Sequence, residues 1–558
     1  MKSRIFSRIG YNEVFNKSAD IKNLLGKIEI EPALEFLVVL NKYEHNVYHD
    51  KLSDLNFICN NWLANSSEEL KSKIIKCYTA TLKKNKDSES SINDVKIINK
   101  AATLRAIELL LSESASRDVT VINYQDDNEN LLLLYLAVND EISDREKGFF
   151  KKYLDFTDDT KMIRFHLFLG LNQFIMNSES SIKKLWAEAL KFVLFEKWIK
   201  SQSKYDDLTN IYLSQFHVKD WYELFNIIFA LNSLVINHYK FKVEVEGVQK
   251  LFFEYISNHR ERPSRWNEFS EIRKMPLYRI SKGSYLVLDF SFLLEKFFSG
   301  IYHDILQQLD NNDMKSFHQD FSNDFVEKFL LVNALKAVFG KKYIQFDENK
   351  IKEYNIKGIN NLALPDYYVR NGNKVFLFEC KNSFLSNQSK LDSEYKDIER
   401  EIKEKFYAHD KKKKAVKQLL NYIELAQNMK YKFFDSNSKL ENCIYYPILV
   451  TTDLTLTSLG FNKLLNEYMD NDIDKLDIHL KRRIKPLTII HINDLLVRTS
   501  KIQKLDVVID DYYKYCDGQE LMDSMISFSD YLDRVKFGKN YNFDHNSFKA
   551  MIKDSFLS

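Results

Sequence analysis

The sequence predicts an α/β protein in two parts: an all-helical domain over residues 1–270, then a domain over residues 271–558 built on a central mixed sheet flanked by helices. Three observations predict it. Gly occurs 13 times and Pro 6 times in 558 residues, against about 39 and about 28 at average usage, so breakers are scarce and long helices are favoured. From about residue 20 to 256 apolar residues recur at helical spacing. Beyond residue 270 helical runs alternate with short β-type runs, the pattern of a mixed sheet with helices on its faces.

In the first part, "INDVKIINKAATLRAIELLLSESA" (92–115) and "SIKKLWAEALKFVLFEKWIK" (181–200) both read as helices. The polar breaks "NKDSESSIND" (85–94) and "NSESS" (177–181) supply Ser, Asn and Asp for N-caps. No repeat of fixed period marks a solenoid. The expected role of this part is sensing, binding or assembly, through a partner protein or a second copy of the chain. The texture changes across residues 258–290, where a proline-marked basic loop leads into "PLYRI" and "SYLVLDF" around "SKG", two strands expected to open the second domain.

Within the second part, residues 323–340 read as a helix, "KYIQFD" (342–347) as a strand, and "KKKAVKQLLNYIELAQNM" (412–429) as a helix. "IYYPILVTT" (444–452) and "LTIIHI" (487–492) read as buried strands either side of the helical "FNKLLNEYM" (461–469). A helical extension follows to the end of the chain.

Composition excludes several function classes. A net charge of +2 gives no global attraction for polyanions, so any nucleic-acid site is a local patch. Cys59, Cys77, Cys380, Cys443 and Cys516 are odd in number, scattered and without CxxC, which argues against a disulfide framework or a zinc site. No stretch has the apolar length of a signal core or a spanning helix, so a soluble, cytoplasmic protein without membrane contact is expected. His45 and His49 have i, i+4 spacing but no HExxH glutamate, and read as surface residues. There is no GxxxxGK[ST] loop and no GxSxG elbow.

The chemistry concentrates in "LPDYYVRNGNKVFLFECKN" (364–382). Asn371-Gly372 is a strong hairpin signal for a type I′ turn, with strands expected at 366–370 and 374–380. Alternation along the second strand puts Val375, Leu377, Glu379 and Lys381 on one side and Phe376, Phe378 and Cys380 on the other. The hairpin returns Asp366 beside Glu379 and Lys381. Two partly buried carboxylates repel and tend to hold protons unless a cation neutralises them. A hard divalent ion does so with one or two carboxylates and waters, and the lysine can then orient or deprotonate a water and stabilise charge at phosphorus.

These residues resemble the PD-(D/E)xK nuclease superfamily, the restriction-endonuclease-like fold, with Pro365-Asp366 as the first element and Glu379-Cys380-Lys381 as the second. The resemblance covers roughly residues 275 to 540. It implies a metal-dependent nuclease, most naturally on DNA and in bacterial defence, with Mg²⁺, or Mn²⁺ as substitute, held by Asp366, Glu379 and the backbone carbonyl at Cys380. It also implies Lys381 at the attacking water, an acid on the preceding helix at Glu327, and a glutamine on the following helix at Gln418. The bare triplet is common: Asp20-Ile21-Lys22, Glu348-Asn349-Lys350 and Glu401-Ile402-Lys403 also match. Only 379–381 ends an apolar strand after a Pro-Asp and a hairpin.

Other readings of the same residues stay open. Asp366 also suits a strand cap, Glu379 and Lys381 a cross-strand ion pair, Glu327 a favourable helix-dipole position, and Gln418 a solvent-facing position. Lys411, Lys412, Lys413 and Lys414 are candidate phosphate contacts, as are "KRRIKP" (481–486) and the Arg260, Arg262, Arg265, Trp266 group. A lysine run is equally a solvated face. The alternative function is a non-catalytic interaction or nucleic-acid-binding protein whose nuclease-like domain is a scaffold.

Overall fold

A computed structural model describes residues 6–46, 53–64, 66–87, 94–113, 124–153, 163–164, 167, 181–238, 241–247, 249–257, 269–354, 362–386, 395–410, 412–436, 439–520 and 524–538. The chain is mixed α/β and divides into two compact units, Met1–Tyr153 with Leu213–Gly300, and Leu154–Tyr212 with Ile301–Ser558. The single boundary expected near residue 270 is thus replaced by crossings after Tyr153, Tyr212 and Gly300.

The first unit is mostly helical, with long helices at Ile30–Asn46, Glu68–Asp87, Lys100–Glu113, Tyr124–Tyr153 and Trp221–His238. Its core includes Leu34, Leu37, Trp62, Leu104, Ile107, Leu132 and Tyr135. The helix expected over 92–115 begins late. Asp94–Lys96 (β2) pairs in parallel with Phe6–Arg8 (β1), and the Asn99 side chain, accepting from Ala102 N at 2.9 Å, starts the helix at Lys100. Asn139 Nδ2 then donates to Ile9 O at 3.0 Å and Ile97 O at 2.8 Å, so one buried amide ties both strands to the Tyr124–Tyr153 helix. Gly10 is fixed by space: a Cβ there would lie 1.8 Å from Asp140 Oδ1.

"PLYRI" and "SYLVLDF" do form strands, Leu277–Ser281 (β4) and Ser284–Val287 (β5), but not in the central sheet. They join Lys242–Glu244 (β3) in a three-stranded antiparallel sheet of the first unit.

The second unit is organised by a five-stranded sheet of Ile344–Asp347 (β6), Tyr367–Asn371 (β7), Lys374–Lys381 (β8), Ile444–Thr451 (β11) and Thr488–His491 (β12), in the order β12-β11-β8-β7-β6. β6, β7 and β8 form an antiparallel meander, and β11 and β12 continue it in parallel. β8 and β11 are buried on both faces along most of their length, which explains their unbroken apolar runs. Phe339, ending the Leu331–Phe339 helix, meets Phe376 at 5.7 Å and Phe378 at 6.0 Å. Tyr422, on the Ala415–Gln427 helix, reaches Glu379. Since Phe378 and Glu379 point to opposite faces, these two helices cover opposite sides of the sheet.

The hairpin is present with a turn one residue later than expected. Asn371 pairs with Lys374, leaving Gly372 and Asn373 as the loop. Gly372 has φ +58° and Asn373 is not at positive φ, the pattern of a type II′ loop, which needs Gly at its first central position.

Lys412 and Lys413, expected in the following helix, instead form a short strand (β10) against Ala408–His409 (β9). The helix starts at Ala415, after Lys414 as N-cap.

The helix Ser181–Lys200, assigned by sequence to the first domain, belongs to this second unit. Its Lys183 Nζ lies 2.6 Å from Asp494 Oδ1 with both side chains fully buried. Its Phe195 and Trp198 pack on Phe325 at 5.5 and 5.4 Å. Phe325 lies in Phe321–Leu330, a π-helical segment between the helices Asn311–Asp320 and Leu331–Phe339.

Candidate active site

Asp366 precedes β7, and the register Tyr367↔Phe378 brings it next to Glu379. Cys380 N, one residue beyond Glu379, donates to Asp366 Oδ2 at 2.6 Å. At the end of β8, Lys381 Nζ lies 2.5 Å from Glu379 Oε1, and Tyr422 OH donates to Glu379 Oε2 at 2.8 Å. Glu379 is 2% exposed, so a buried carboxylate has a cation on one oxygen and a hydroxyl on the other. Asn382 braces the strand end: its Nδ2 donates to Ser322 Oγ at 3.0 Å, and its Oδ1 accepts from Thr452 Oγ1 at 2.6 Å.

Glu327 sits in the π-helical segment. Such segments are rare and recur at functional sites. With Asp366 it lines a cleft of about 10 Å³, whose other walls are Lys328, Val332, Asp347, Glu348 and Asn349. That volume suits one water or one small cation. Among the described residues Glu327 makes no hydrogen bond or ion pair.

The electrostatics follow from burial and crowding. Asp366 is held well above the usual carboxylate range by burial, then by the negative charge of Glu379, with Glu327 adding and Lys381 opposing. Glu327 is pushed up to about 7, first by burial, with Glu379 and Glu348 adding and Lys381 opposing. Burial alone would lower Lys381, but Glu379 and Asp366 outweigh it and hold the ammonium above its ordinary value. In the metal-free protein Lys381 is therefore held as a cation and hydrogen-bond donor beside these carboxylates.

By type, the residues are those a hard cation takes. Asp366, Glu379 and Glu327 offer carboxylate oxygens in mutual repulsion, and a cation would relieve it. They do not make a closed cage: among the described residues no group of three or more His, Cys, Asp or Glu side chains is placed to hold a metal. Such residue types suit an ion that takes one or two carboxylates and keeps its waters, as Mg²⁺ does. The Cys380 thiol is fully buried and pushed far up by burial and then by Asp366. Only its backbone carbonyl is left for the expected role.

Gln418 lies one turn before Tyr422, on the same face of the Ala415–Gln427 helix, and its side-chain oxygen is buried without a hydrogen-bond partner. It does not face solvent freely. Tyr422 was missed in the sequence, although its i, i+4 spacing from Gln418 was a usable signal. Asp347 was missed, and Glu348 was set aside with the common triplet Glu348-Asn349-Lys350: Asp347 ends β6 opposite Tyr367, and both acids line the cleft with Asp366.

The expected basic contacts fare unevenly. Lys411 lies outside the described residues, as do His49, Arg260, Arg262, Arg265 and Trp266. Lys412, Lys413 and Lys414 do not line the acidic cleft, and Lys413 Nζ donates to Asn421 Oδ1 at 2.7 Å. In 481–486, Lys481 pairs with Asp474 and Lys485 with Asp510, while Arg483 bonds Gln427 and His479 O. Of the other matching triplets, Asp20 caps a helix and Glu401 accepts from Ser386 N at 2.8 Å.

The class this geometry defines is a mixed α/β protein with a carboxylate–lysine cluster at one end of a central sheet. No protein-family model matches the chain, and comparison with curated proteins and with solved structures likewise found no match. No helix among the described residues is long and apolar enough to cross a membrane.

Proposed function

We propose that this chain is a metal-dependent nuclease of the PD-(D/E)xK kind, hydrolysing phosphodiester bonds, most naturally in DNA, with a restriction-endonuclease-like fold in its second unit. One observation carries the reading: Asp366, Glu379 and Lys381 converge at the end of a hairpin, and Asp366 opens on the cleft that Glu327 also lines. The acid on the preceding helix and the half-buried glutamine on the following one, its side-chain oxygen buried, add support.

Asp366 and Glu379 would hold Mg²⁺, or Mn²⁺ in its place, with the Cys380 carbonyl in reach of the role. When bound, the ion supplies charge neutralisation for the carboxylates and for phosphate oxygens. Lys381 keeps its proton and donates to the attacking water or to an oxygen gaining charge at phosphorus. Tyr422 fixes the orientation of Glu379. Glu327, pushed up to about 7 in the metal-free protein by burial first, is suited to hold or release a proton beside the reacting phosphate.

The second reading, a nucleic-acid-binding or interaction protein without catalysis, is favoured by one feature. Both Glu379 oxygens already have donors, and no three-side-chain metal set is present among the described residues. Purified protein incubated with plasmid, linear duplex, single-stranded DNA and RNA, each with Mg²⁺, Mn²⁺ or EDTA, separates the two. Metal-dependent cleavage abolished by EDTA supports the nuclease, and no cleavage of any substrate under either metal sinks it.

A further inference from the structure

Beside the acidic cleft lies a larger groove of about 440 Å³, whose lining includes Lys336, Lys341, Tyr343, Ile344, Asp347 and Lys350. It follows β6, the last strand in the sheet order. Asp347 lines both concavities, so the groove runs up to the carboxylates. The two differ in charge. The acidic cleft has Glu327, Asp347, Glu348 and Asp366 against Lys328, whereas the groove has Lys336, Lys341 and Lys350 against Asp347 alone.

These lysines are available. Lys341 and Lys350 are exposed, and Lys336, with a 60% exposed side chain, reaches Asp347 only at 3.7 Å. Between them the surface is apolar and aromatic: Ile344 is 38% exposed, Tyr343 is half-buried, and Lys350 Nζ stands 5.4 Å over the Phe346 ring. Cations spaced along a groove with aromatic and apolar surface between them suit a phosphate backbone whose bases lie on side chains. The small volume suits one strand rather than a duplex. Edge pairing with another protein strand is disfavoured, since β6 has four residues and lysines at 341 and 342 precede it.

We propose that this groove binds a single nucleic-acid strand and leads it to the Asp366 cleft, Lys336, Lys341 and Lys350 contacting phosphates and the Tyr343–Ile344 surface contacting bases. The direction of the strand rests on the nuclease reading; its binding does not.

The test measures binding in EDTA, where metal-dependent cleavage is silent, by fluorescence anisotropy of labelled 20-mer DNA, RNA and duplex DNA. The variant Lys336→Ala/Lys341→Ala/Lys350→Ala is compared with Lys439→Ala/Lys463→Ala/Lys475→Ala, equal in charge change and outside both concavities. The groove variant is expected to bind single strands at least tenfold more weakly, and its salt slope to fall by about 2, from ~0.7 per lost phosphate contact. The control variant should stay within twofold of wild type. Comparison of DNA and RNA arms assigns the sugar. Wild type that binds no strand overturns the proposal. So do a groove variant binding like wild type, a control variant weakened equally, duplex bound as tightly through the same lysines, or a protein dimer lost in place of strand binding. Strand binding through the groove without cleavage under Mg²⁺ or Mn²⁺ supports the groove and sinks the nuclease.

Discussion

Lys381 Nζ lies 2.5 Å from Glu379 Oε1, two residues back along the same strand, and Asp366 and Glu379 together hold that ammonium above its ordinary pKa. Without metal these carboxylates keep the amine protonated, so its contribution is expected to be that of a charge and a donor. Lys381→Ala and Lys381→Met are therefore both expected to lower cleavage by about 10²- to 10³-fold through lost electrostatic stabilisation. The wild-type pH–rate profile should show no limb belonging to the lysine between pH 6 and 9. Equal rates in wild type and both variants would remove Lys381 from the site.

Tyr422 makes a comparable claim from the other side of the same carboxylate. Tyr422→Phe leaves Glu379 Oε2 buried without its donor, and loss of a bond to a charged group costs about 1.5–3 kcal/mol. Because Glu379 must then find another donor or turn, cleavage should fall about tenfold or more. The fall should appear mainly in kcat, since Tyr422 is buried and its hydroxyl is committed to Glu379. A change confined to KM would place Tyr422 in binding instead.

The hairpin, the acid–lysine convergence and most second-unit strands were legible in the sequence because they depend on local signals: alternation, a Gly-containing turn and buried apolar runs. The turn register was not, since Asn371-Gly372 and Gly372-Asn373 both make acceptable loops, and pairing selects between them. The fate of 277–287 and of 181–200 was equally hidden. Both elements read correctly as strand and helix, but which unit buries them depends on partners such as Lys242–Glu244 and Asp494 that lie far away in sequence. Asp347 escaped notice and Glu348 was set aside as a chance triplet for the same reason, because only the sheet order brings the end of β6 beside Asp366.

Glu327 provides a pH test. Its folded pKa is about 7, above the ordinary glutamate value of about 4.3, so the folded state holds this proton more tightly than the unfolded chain. Its contribution to stability is then fullest below about pH 4 and is lost as pH rises towards 7. Glu327→Gln removes this dependence and breaks no hydrogen bond among the described residues. The metal-free variant should melt several degrees above wild type at pH 8 and close to it at pH 5, read by differential scanning calorimetry. A variant less stable than wild type at pH 8 would show that the carboxylate is stabilising instead.

Asp366 decides whether a metal belongs in the cleft. Burial and Glu379 raise its pKa, so without metal its ionisation opposes folding as pH rises, and a bound cation reverses that. Mg²⁺ or Mn²⁺ at about 100 times its Kd would stabilise wild type by about 2.7 kcal/mol, a shift of several degrees at pH 8. Asp366→Asn keeps an acceptor for Cys380 N, which donates to it at 2.6 Å, while losing the charge that attracts the ion. This variant should stay folded, show little or no metal-dependent shift, and cleave slower by orders of magnitude. Glu401→Ala is the matched control: Glu401 holds Ser386 N at 2.8 Å and lines neither concavity, so its loss should keep both the metal shift and the activity. If Asp366→Asn melts higher with Mg²⁺ by as much as wild type, the ion binds elsewhere. The Asp366–Glu379 pair is then a structural feature of the hairpin rather than a metal site.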